Sequence, residues 1–291
     1  MVAGVRITHP ERVLFGREGI TKAQLAAYYA GAGDLILPHI EGRPLSIVRC
    51  PNGADAPCFF QKHVMPGMNK SIKPVRVSPK KEDANYLSVG DVQGLVALVQ
   101  FGAIELHPWG AKVKSLGKPD RVVIDLDPDP AVSWRDLAKA AAEARECLRR
   151  FGLTSFLKST GGKGLHVVAP LIPKAPWAAI KTFAKTIAEE MAADNPLLYI
   201  AKAAKAARKG KIFIDYLRND RGATAVAAYS VRARAGAPVA LPLSWNALKR
   251  AVRPEPASVL TVHKTISAGD PWAGFFALRQ ILPVRSRTAK K

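Results

Sequence analysis

Hydrophobic positions along this chain recur with two spacings, one strand-like and one helix-like. Short apolar or alternating runs mark Leu45 to Arg49, Val122 to Ile124, Ser155 to Ser159, Leu165 to Leu171, Ile212 to Leu217 and Tyr229 to Val231 as strands. Helical spacing follows a capping box at Thr21-Lys-Ala-Gln24 and runs to about Ala30. A second helix is capped by Asp91 and uses Leu95, Leu98 and Val99. A third follows Ser133-Trp-Arg-Asp136 and turns Leu137, Ala141, Ala144, Leu148 and Phe151 inward. Pro176 opens a fourth, with Trp177, Ile180, Phe183, Ile187 and Met191 on its apolar side. Lys202, Lys205 and Lys209 also fall at helical spacing.

Between these elements, residues 64–81 are rich in Lys, Arg and Pro without periodicity and are expected to form an extended basic loop. A basic tail, Arg285 to Lys291, is expected to fray. No internal repeat and no long linker is visible. Strands and helices alternating around one acidic strand predict a single mixed α/β domain with an N-terminal annex. The expected division is 1–115 for the annex, 116–250 for the catalytic core and 251–291 for a C-terminal segment.

Charge narrows the class of partner. Lys plus Arg number 44 against 23 for Asp plus Glu, a net charge of +21, in a chain whose hydrophobic content of 48% is ordinary for a globular protein. Such an excess points to a polyanion, nucleic acid before an anionic membrane surface. The longest apolar stretch, Gly94 to Leu106, is broken by Gln100 and Glu105 and is too short to span a bilayer. Cys50, Cys58 and Cys147 are odd in number and lack metal-ligand spacing, so reduced structural thiols in a cytosol are expected.

The candidate chemistry gathers on Arg121-Val-Val-Ile-Asp-Leu-Asp-Pro-Asp129. Side chains alternate on a strand, so Asp125 and Asp127 share one face. Paired carboxylates at a buried strand end repel and need a cation. Oxygen donors without Cys or His suit magnesium or manganese. A solvated acidic turn is the bland alternative. A calcium loop is a poor frame, since Pro130 stands where that loop needs Gly and Asp136 where it needs Glu. Asp215, on another strand, is a third candidate, with Arg218 or Arg221 able to pair with it.

Thr160-Gly-Gly-Lys-Gly164 has the chemistry of a phosphate cradle but is not a Walker A loop, because Gly164 replaces the Ser or Thr. A plain glycine-rich turn is its alternative. His166 is either a phosphate donor or an ordinary strand histidine. Arg232 and Arg234, two apart, could grip one polyphosphate or lie exposed on an edge. Phe59 and Phe60 offer a base-stacking platform if at least one is exposed. Lys22 begins a helix, where the macrodipole disfavours a cation unless an anion binds there.

Taken in order, these pieces resemble the polymerase domain of bacterial DNA ligase D, in the archaeo-eukaryotic primase superfamily. The resemblance runs from Glu11-Arg-Val-Leu-Phe15 and Ile20-Thr-Lys22 through Phe59-Phe-Gln-Lys-His63, His107-Pro-Trp109 and the Asp-Leu-Asp strand. It continues through Gly161-Gly-Lys-Gly-Leu-His166, Ile214-Asp-Tyr-Leu-Arg-Asn219 and Tyr229-Ser-Val-Arg-Ala-Arg234 to Pro238-Val-Ala-Leu-Pro-Leu-Ser-Trp245. It implies an α/β (α+β) primase-polymerase fold whose central mixed or antiparallel sheet carries the metal site between flanking helices. The implied activity is template-directed nucleotidyl transfer that fills gaps and extends 3′ ends in non-homologous end joining, favouring ribonucleotides.

By the same resemblance, Asp125, Asp127 and Asp215 would be catalytic ligands of two manganese or magnesium ions. Arg49, His107, Thr160, Lys163, Arg208, Arg232 and Arg234 would contact the incoming nucleotide. Phe59 and Phe60 would meet the template base, and Arg12 with Lys22 the 5′-phosphate across the gap. Implied partners are gapped or broken DNA, nucleoside triphosphates, Ku and a DNA ligase, with no membrane, at the nucleoid in the cytoplasm. Two departures stand out: Arg12 replaces the family's usual Lys, and Gly16 its usual Pro. Both cations bind phosphate, Arg as a fork instead of a point charge. A non-catalytic DNA-end binder and a primase that starts chains de novo share these residues.

Overall fold

The acidic strand lies third in a six-stranded sheet, with charged ends on one face and two long helices on the other. The computed structural model describes residues 1–78, 85–267 and 269–283. The first half comprises strands β1 (Val13–Phe15) and β2 (Ile20–Thr21), helices α1 (Lys22–Gly31) and α2 (Gly33–Ile40), and strands β3 (Leu45–Arg49) and β4 (Phe59–Gln61). Strands β5 (Lys73–Arg76) and β6 (Asn85–Ser88), helix α3 (Val92–Gln100) and strand β7 (Ala103–Pro108) complete it. The second half begins with β8 (Arg121–Pro128), α4 (Trp134–Arg150), β9 (Phe156–Ser159) and β10 (Leu165–Pro170). It ends with α5 (Trp177–Asp194), β11 (Tyr199–Ile200), β12 (Ile212–Asp215), β13 (Pro242–Leu243) and α6 (Val262–Ile266).

The larger sheet runs β11-β12-β8-β10-β9-β13. Its β11–β12 pair is parallel and the other pairs antiparallel, so the sheet is mixed as expected. Alternation sends Ile124, Leu126, Val167 and Ile214 to the face that meets Leu137, Ala141 and Leu148 of α4 and Ile180 and Ile187 of α5. Asp125 and Asp127 therefore face the other way. The smaller sheet, β4-β3-β6-β5 with β7 on the far edge of β3, packs with α1 to α3. Its core is completed from the far end of the chain by Ala227, Tyr229, Val231, Val239 and Val262.

Buried polar contacts join the two sheets at Arg43 and fix the far-end segment onto the smaller sheet at Tyr29. Arg43, with no exposed surface, holds Asp120 at the head of β8 through Nη1 at 3.0 Å and Nη2 at 2.5 Å. It also donates to the Trp109 carbonyl at 3.3 Å. The Tyr29 hydroxyl donates to the Ile104 carbonyl at 2.6 Å and accepts from the Val231 amide at 3.1 Å. Among the described residues, no helix is long and apolar enough to cross a membrane.

Several elements differ from the sequence expectation. The basic loop of 64–81 contains β5, which among the described residues pairs with β6 alone and so tolerates Pro74 at a sheet edge; positions 79–81 lie outside the described residues. The three lysines from Lys202 make no α-helix, and only a 3₁₀ turn, Lys205–Arg208, forms. That turn buries nothing, because lysines at helical spacing provide no apolar stripe. The Tyr229–Val231 strand reduces to a single bridge, Val231 to Val239, since Tyr229 takes a left-handed φ of 64°. Helix α2 was hidden by Gly33 and Pro38. The strand at Ile212 stops at Asp215, and Leu217–Asn219 turn into a 3₁₀ segment. The basic tail lies outside the described residues.

The cysteine expectation is corrected as well. Cys50 and Cys58 are disulfide-bonded, while Cys147 is free and buried. The β3–β4 register pairs Arg49 with Phe59, which sets the next two residues, Cys50 and Cys58, opposite each other. Spacing along the chain does not display that hairpin.

Burial drives the Asp120 carboxyl up, but Arg121 and Arg43 overcome it and hold it at about 2, below its ordinary 3.8. A depressed carboxyl contributes stability above the unfolded value, and that contribution is lost as pH falls through the folded value. Replacing Asp120 with Asn strands a buried guanidinium and should cost about 3–5 kcal/mol in urea unfolding at pH 7. The deficit relative to wild type should shrink as pH falls from about 4 towards 2.

Candidate active site

Strand register alone assembles the centre of the site. Asp215 on β12 pairs with Asp125 on β8, Asp125 with His166 on β10, and His166 with Lys158 on β9. Cross-strand partners share a face, so two carboxylates, an imidazole and an ammonium form one row across four strands. All four are buried. Asp127, two residues along β8 on the same face, keeps its side chain 45% exposed.

Cationic side chains from outside the row hold its aspartates, and His166 adds a contact from within it. Arg218 Nε lies 3.0 Å from Asp125 and 3.3 Å from Asp215, bridging the pair. His166 Nε2 lies 3.4 Å from Asp125 Oδ1. Lys163 and Arg208 approach Asp127 at 3.9 and 3.7 Å. Burial pushes the Asp125 carboxyl up, yet His166 and Arg218 hold it well below its ordinary value. Asp215 moves the other way, raised by burial and by the neighbouring Asp125 charge against the pull of Arg218. Burial lowers His166 to about 4 and Lys158 to about 7. Lys158 donates to the Val226 carbonyl at 3.0 Å.

A cleft of about 260 Å³ opens above Asp125 and His166 of this row, with Asp215 and Lys158 outside its lining. It brings together Asp125, Asp127, Thr160, Lys163, His107, Phe60, Arg232 and Arg234 from the expected set. The Thr160–Gly164 loop forms one wall. Gly161 has φ of 64°, and a Cβ at Gly164 would lie 2.7 Å from the Leu126 carbonyl oxygen, so the loop hugs β8 only without side chains there. Arg232 Nη1 donates to the Thr160 carbonyl at 2.5 Å, and the Arg234 guanidinium lies against Gly162. The expected strand is missing here, yet both arginines still reach one cleft.

Arg208 sits beside the cleft, its guanidinium 3.7 Å from the Phe213 ring centroid. Phe59 and Phe60 are both exposed, at 48% and 61%, although adjacent on β4, so neither belongs to the core. Arg49 does not line the cleft. Its guanidinium stacks 3.9 Å from the Phe101 ring centroid, lies 5.8 Å from that of Phe59, and donates to the Phe101 carbonyl. Arg12 and Lys22 form a separate group at the start of α1, where the Thr21 capping box is present and the Lys22 amide donates to the Arg12 carbonyl. Burial and the Arg12 charge lower the Lys22 pKa.

Three residues of the site escaped the sequence reading. Glu105 and Lys158 are single charges inside otherwise buried strands, a pattern that signals paired function or pairing in the core. Arg253 donates to the Gly162 carbonyl at 2.5 Å, and no local motif marks it.

The donor chemistry of the three aspartates fits hard divalent cations: all are oxygen ligands, and cationic side chains already compensate them. Among the described residues, no three acidic, His or Cys side chains converge as one ligand set in their present rotamers, with Arg218 between Asp125 and Asp215.

Such a carboxylate row facing a basic, glycine-walled cleft is suited to holding a polyphosphate. The model of the LigD primase-polymerase domain matches residues 21–272, and the chain belongs to that family. It is 38% identical, over 98% of its length, to the multifunctional non-homologous end joining protein LigD of Pseudomonas aeruginosa, of which it covers 34%. It is 32% identical over 84% of its length to the multifunctional non-homologous end joining DNA repair protein LigD of Mycobacterium tuberculosis, covering 33% of that protein. The chain thus spans about a third of the length of these curated relatives. Its fold superposes on the polymerase domain from Mycobacterium tuberculosis ligase D in complex with DNA with a TM-score of 0.87 and 31% identity, covering 94% of this chain and 98% of that one. Nucleotidyl transfer is the general chemistry of such a domain.

Because both rings stand out from β4, Phe59→Ala and Phe60→Ala should each change unfolding free energy by less than about 0.5 kcal/mol. A loss of several times that in chemical denaturation would place the ring in the core.

Proposed function

We propose that this chain is a template-directed nucleotidyltransferase that fills gaps and extends 3′ ends at broken DNA, with ribonucleoside triphosphates preferred. One observation carries the reading. Asp125 and Asp127 line a cleft walled by Lys163, Arg232 and Arg234, and Asp215 pairs with Asp125 in register just outside that lining. The family supports polymerase chemistry, and a net charge of +21 supports a polyanionic partner.

In this reading Asp125, Asp127 and Asp215 would hold two manganese or magnesium ions, with Arg218 yielding its place between two of them. Bound ions would supply charge stabilisation for the attacking 3′-oxygen and the departing pyrophosphate. The chain's own residues do the positioning. Lys163, Arg232 and Arg234, with the Thr160 hydroxyl, orient the triphosphate, and Arg208 adds charge beside Asp127. His107, beside Arg232 in the lining, contacts the nucleotide as well. Phe60, exposed yet 5.4 Å ring to ring from His107, stacks on the template base, with Phe59 next to it. Arg49, packed against Phe101 and near Phe59, fits a support for that platform better than a nucleotide contact.

Arg12 and Lys22 receive the 5′-phosphate across the gap, where the dipole of α1 adds to their two charges. A Ku-type end binder and a DNA ligase are the expected partners, and the cytoplasmic nucleoid the place of work.

The test is extension of a 5′-phosphorylated single-nucleotide gap with manganese and each nucleotide type in turn. Wild type should add the templated nucleotide, and Asp127→Ala should slow it by about a hundredfold or more. The same substrate without its 5′-phosphate should bind wild type more weakly, and Arg12→Ala with Lys22→Ala should abolish that difference. Tight binding without extension would overturn the catalytic reading and leave a DNA-end binder.

A further inference from the structure

Glu105 is the acid that the catalytic reading leaves without a role. It sits on β7, a strand buried along its whole length, and is itself only 5% exposed. A carboxylate there is costly unless several groups share its charge. Three do. Glu105 Oε2 lies 2.7 Å from His107 Nε2 and 2.9 Å from Arg232 Nε, and Oε1 accepts from the Ala233 amide at 2.9 Å. The Arg232 contact is an ion pair whose N–H is not aligned for a hydrogen bond. Burial pushes the carboxyl up, but His107 and Arg232 bring it to about 2, so it is charged at neutral pH.

The partners are what make the placement informative. Glu105 and His107 are two apart on β7 and share a face, and His107 and Arg232 both line the cleft. Arg232 is gripped a second time, by the Thr160 carbonyl of the glycine loop. One carboxylate of the smaller sheet therefore fixes an imidazole on its own strand and a guanidinium from the Arg232–Arg234 segment. Its bond to Nε2 also selects the His107 tautomer that carries its proton on that nitrogen.

We propose that Glu105 is a positioning residue that pre-sets the triphosphate site by holding His107 and Arg232 together. The proposal rests on reading the cleft as a nucleotide site. A plain staple between layers would stabilise the fold without tuning nucleotide use, and the two are separable.

Glu105→Gln keeps size and shape but removes the charge. Its KM for the incoming nucleotide should rise about tenfold or more, with kcat on gapped DNA and affinity for that DNA near wild type. In an Arg232→Ala, His107→Ala background the same change should alter KM by less than twofold, because Glu105 acts through those two groups. Should Glu105→Gln fail to fold, Glu105→Asp, charged but shorter, should show the same KM rise and the same silence in the double-variant background. Nitrogen shifts of His107 in the wild type should report the Nε2–H tautomer. An unchanged KM, a full multiplicative effect in the double-variant background, or an Nδ1–H tautomer would overturn the proposal. A wild type that takes up no nucleotide would overturn the nucleotide reading itself, before any variant is compared.

Discussion

Two carboxylates side by side on adjacent buried strands repel, and much of this protein is arranged around that repulsion. Asp125 and Asp215 occupy one register position of β8 and β12, so neither can turn away without breaking the sheet. Water is largely excluded, which makes an uncompensated pair expensive. The fold answers with Arg218 between them, His166 on the next strand, and Lys163 and Arg208 at Asp127. The compensating groups come from three places in the chain, the Lys163–His166 stretch, Arg208 and Arg218, and they converge on the cleft.

The cleft exists because two sheets meet over it. Helices α4 and α5 fill the back of the larger sheet, so its polar face must be covered from the other side. Trp272 and Phe275 from the far end of the chain pack on Val123 and Val168 of that face, and the smaller sheet's own core is finished by Ala227 to Val262. Arg43 with Asp120 pins the two layers, while Tyr29 with Ile104 and Val231, and Glu105 with Arg232, fix the far-end segment onto the smaller sheet. The last of these contacts lies at the cleft, where packing of that segment and geometry for a ligand become the same problem. Phe59 and Phe60, which belong to neither core, stand free on the hairpin beside it.

Much of this architecture was legible in residue spacing. The capping residues Thr21, Asp91 and Ser133 each accept the expected backbone hydrogen bond, and the apolar stripes of α4 and α5 face the sheet as their periods require. Alternation along β8 placed Asp125 and Asp127 on one face. What local pattern does not encode is the pairing of distant strands: nothing in Ile212 to Asp215 announces Asp125 as its neighbour, and the ordered family motifs supplied that link. The disulfide between Cys50 and Cys58 depends on the same kind of information, a hairpin register. The Tyr229–Val231 segment read as a strand because its composition suits one, but tertiary contacts hold Tyr229 in a left-handed turn. Glu105 and Lys158 were visible as letters and silent as roles, since a buried charge shows its purpose only through partners far away in sequence.

Whether the aspartate row is an ion site is the claim on which the rest turns, and calorimetric titration of manganese into the protein, with and without a non-hydrolysable nucleoside triphosphate, measures it most directly. The account predicts that the analogue raises uptake to two ions per chain and that Asp125→Asn removes that nucleotide-dependent binding while the protein stays folded. Manganese uptake that ignores both the nucleotide and Asp125 would contradict it, and would return Asp125, Asp215 and Arg218 to an ordinary buried ion-pair network.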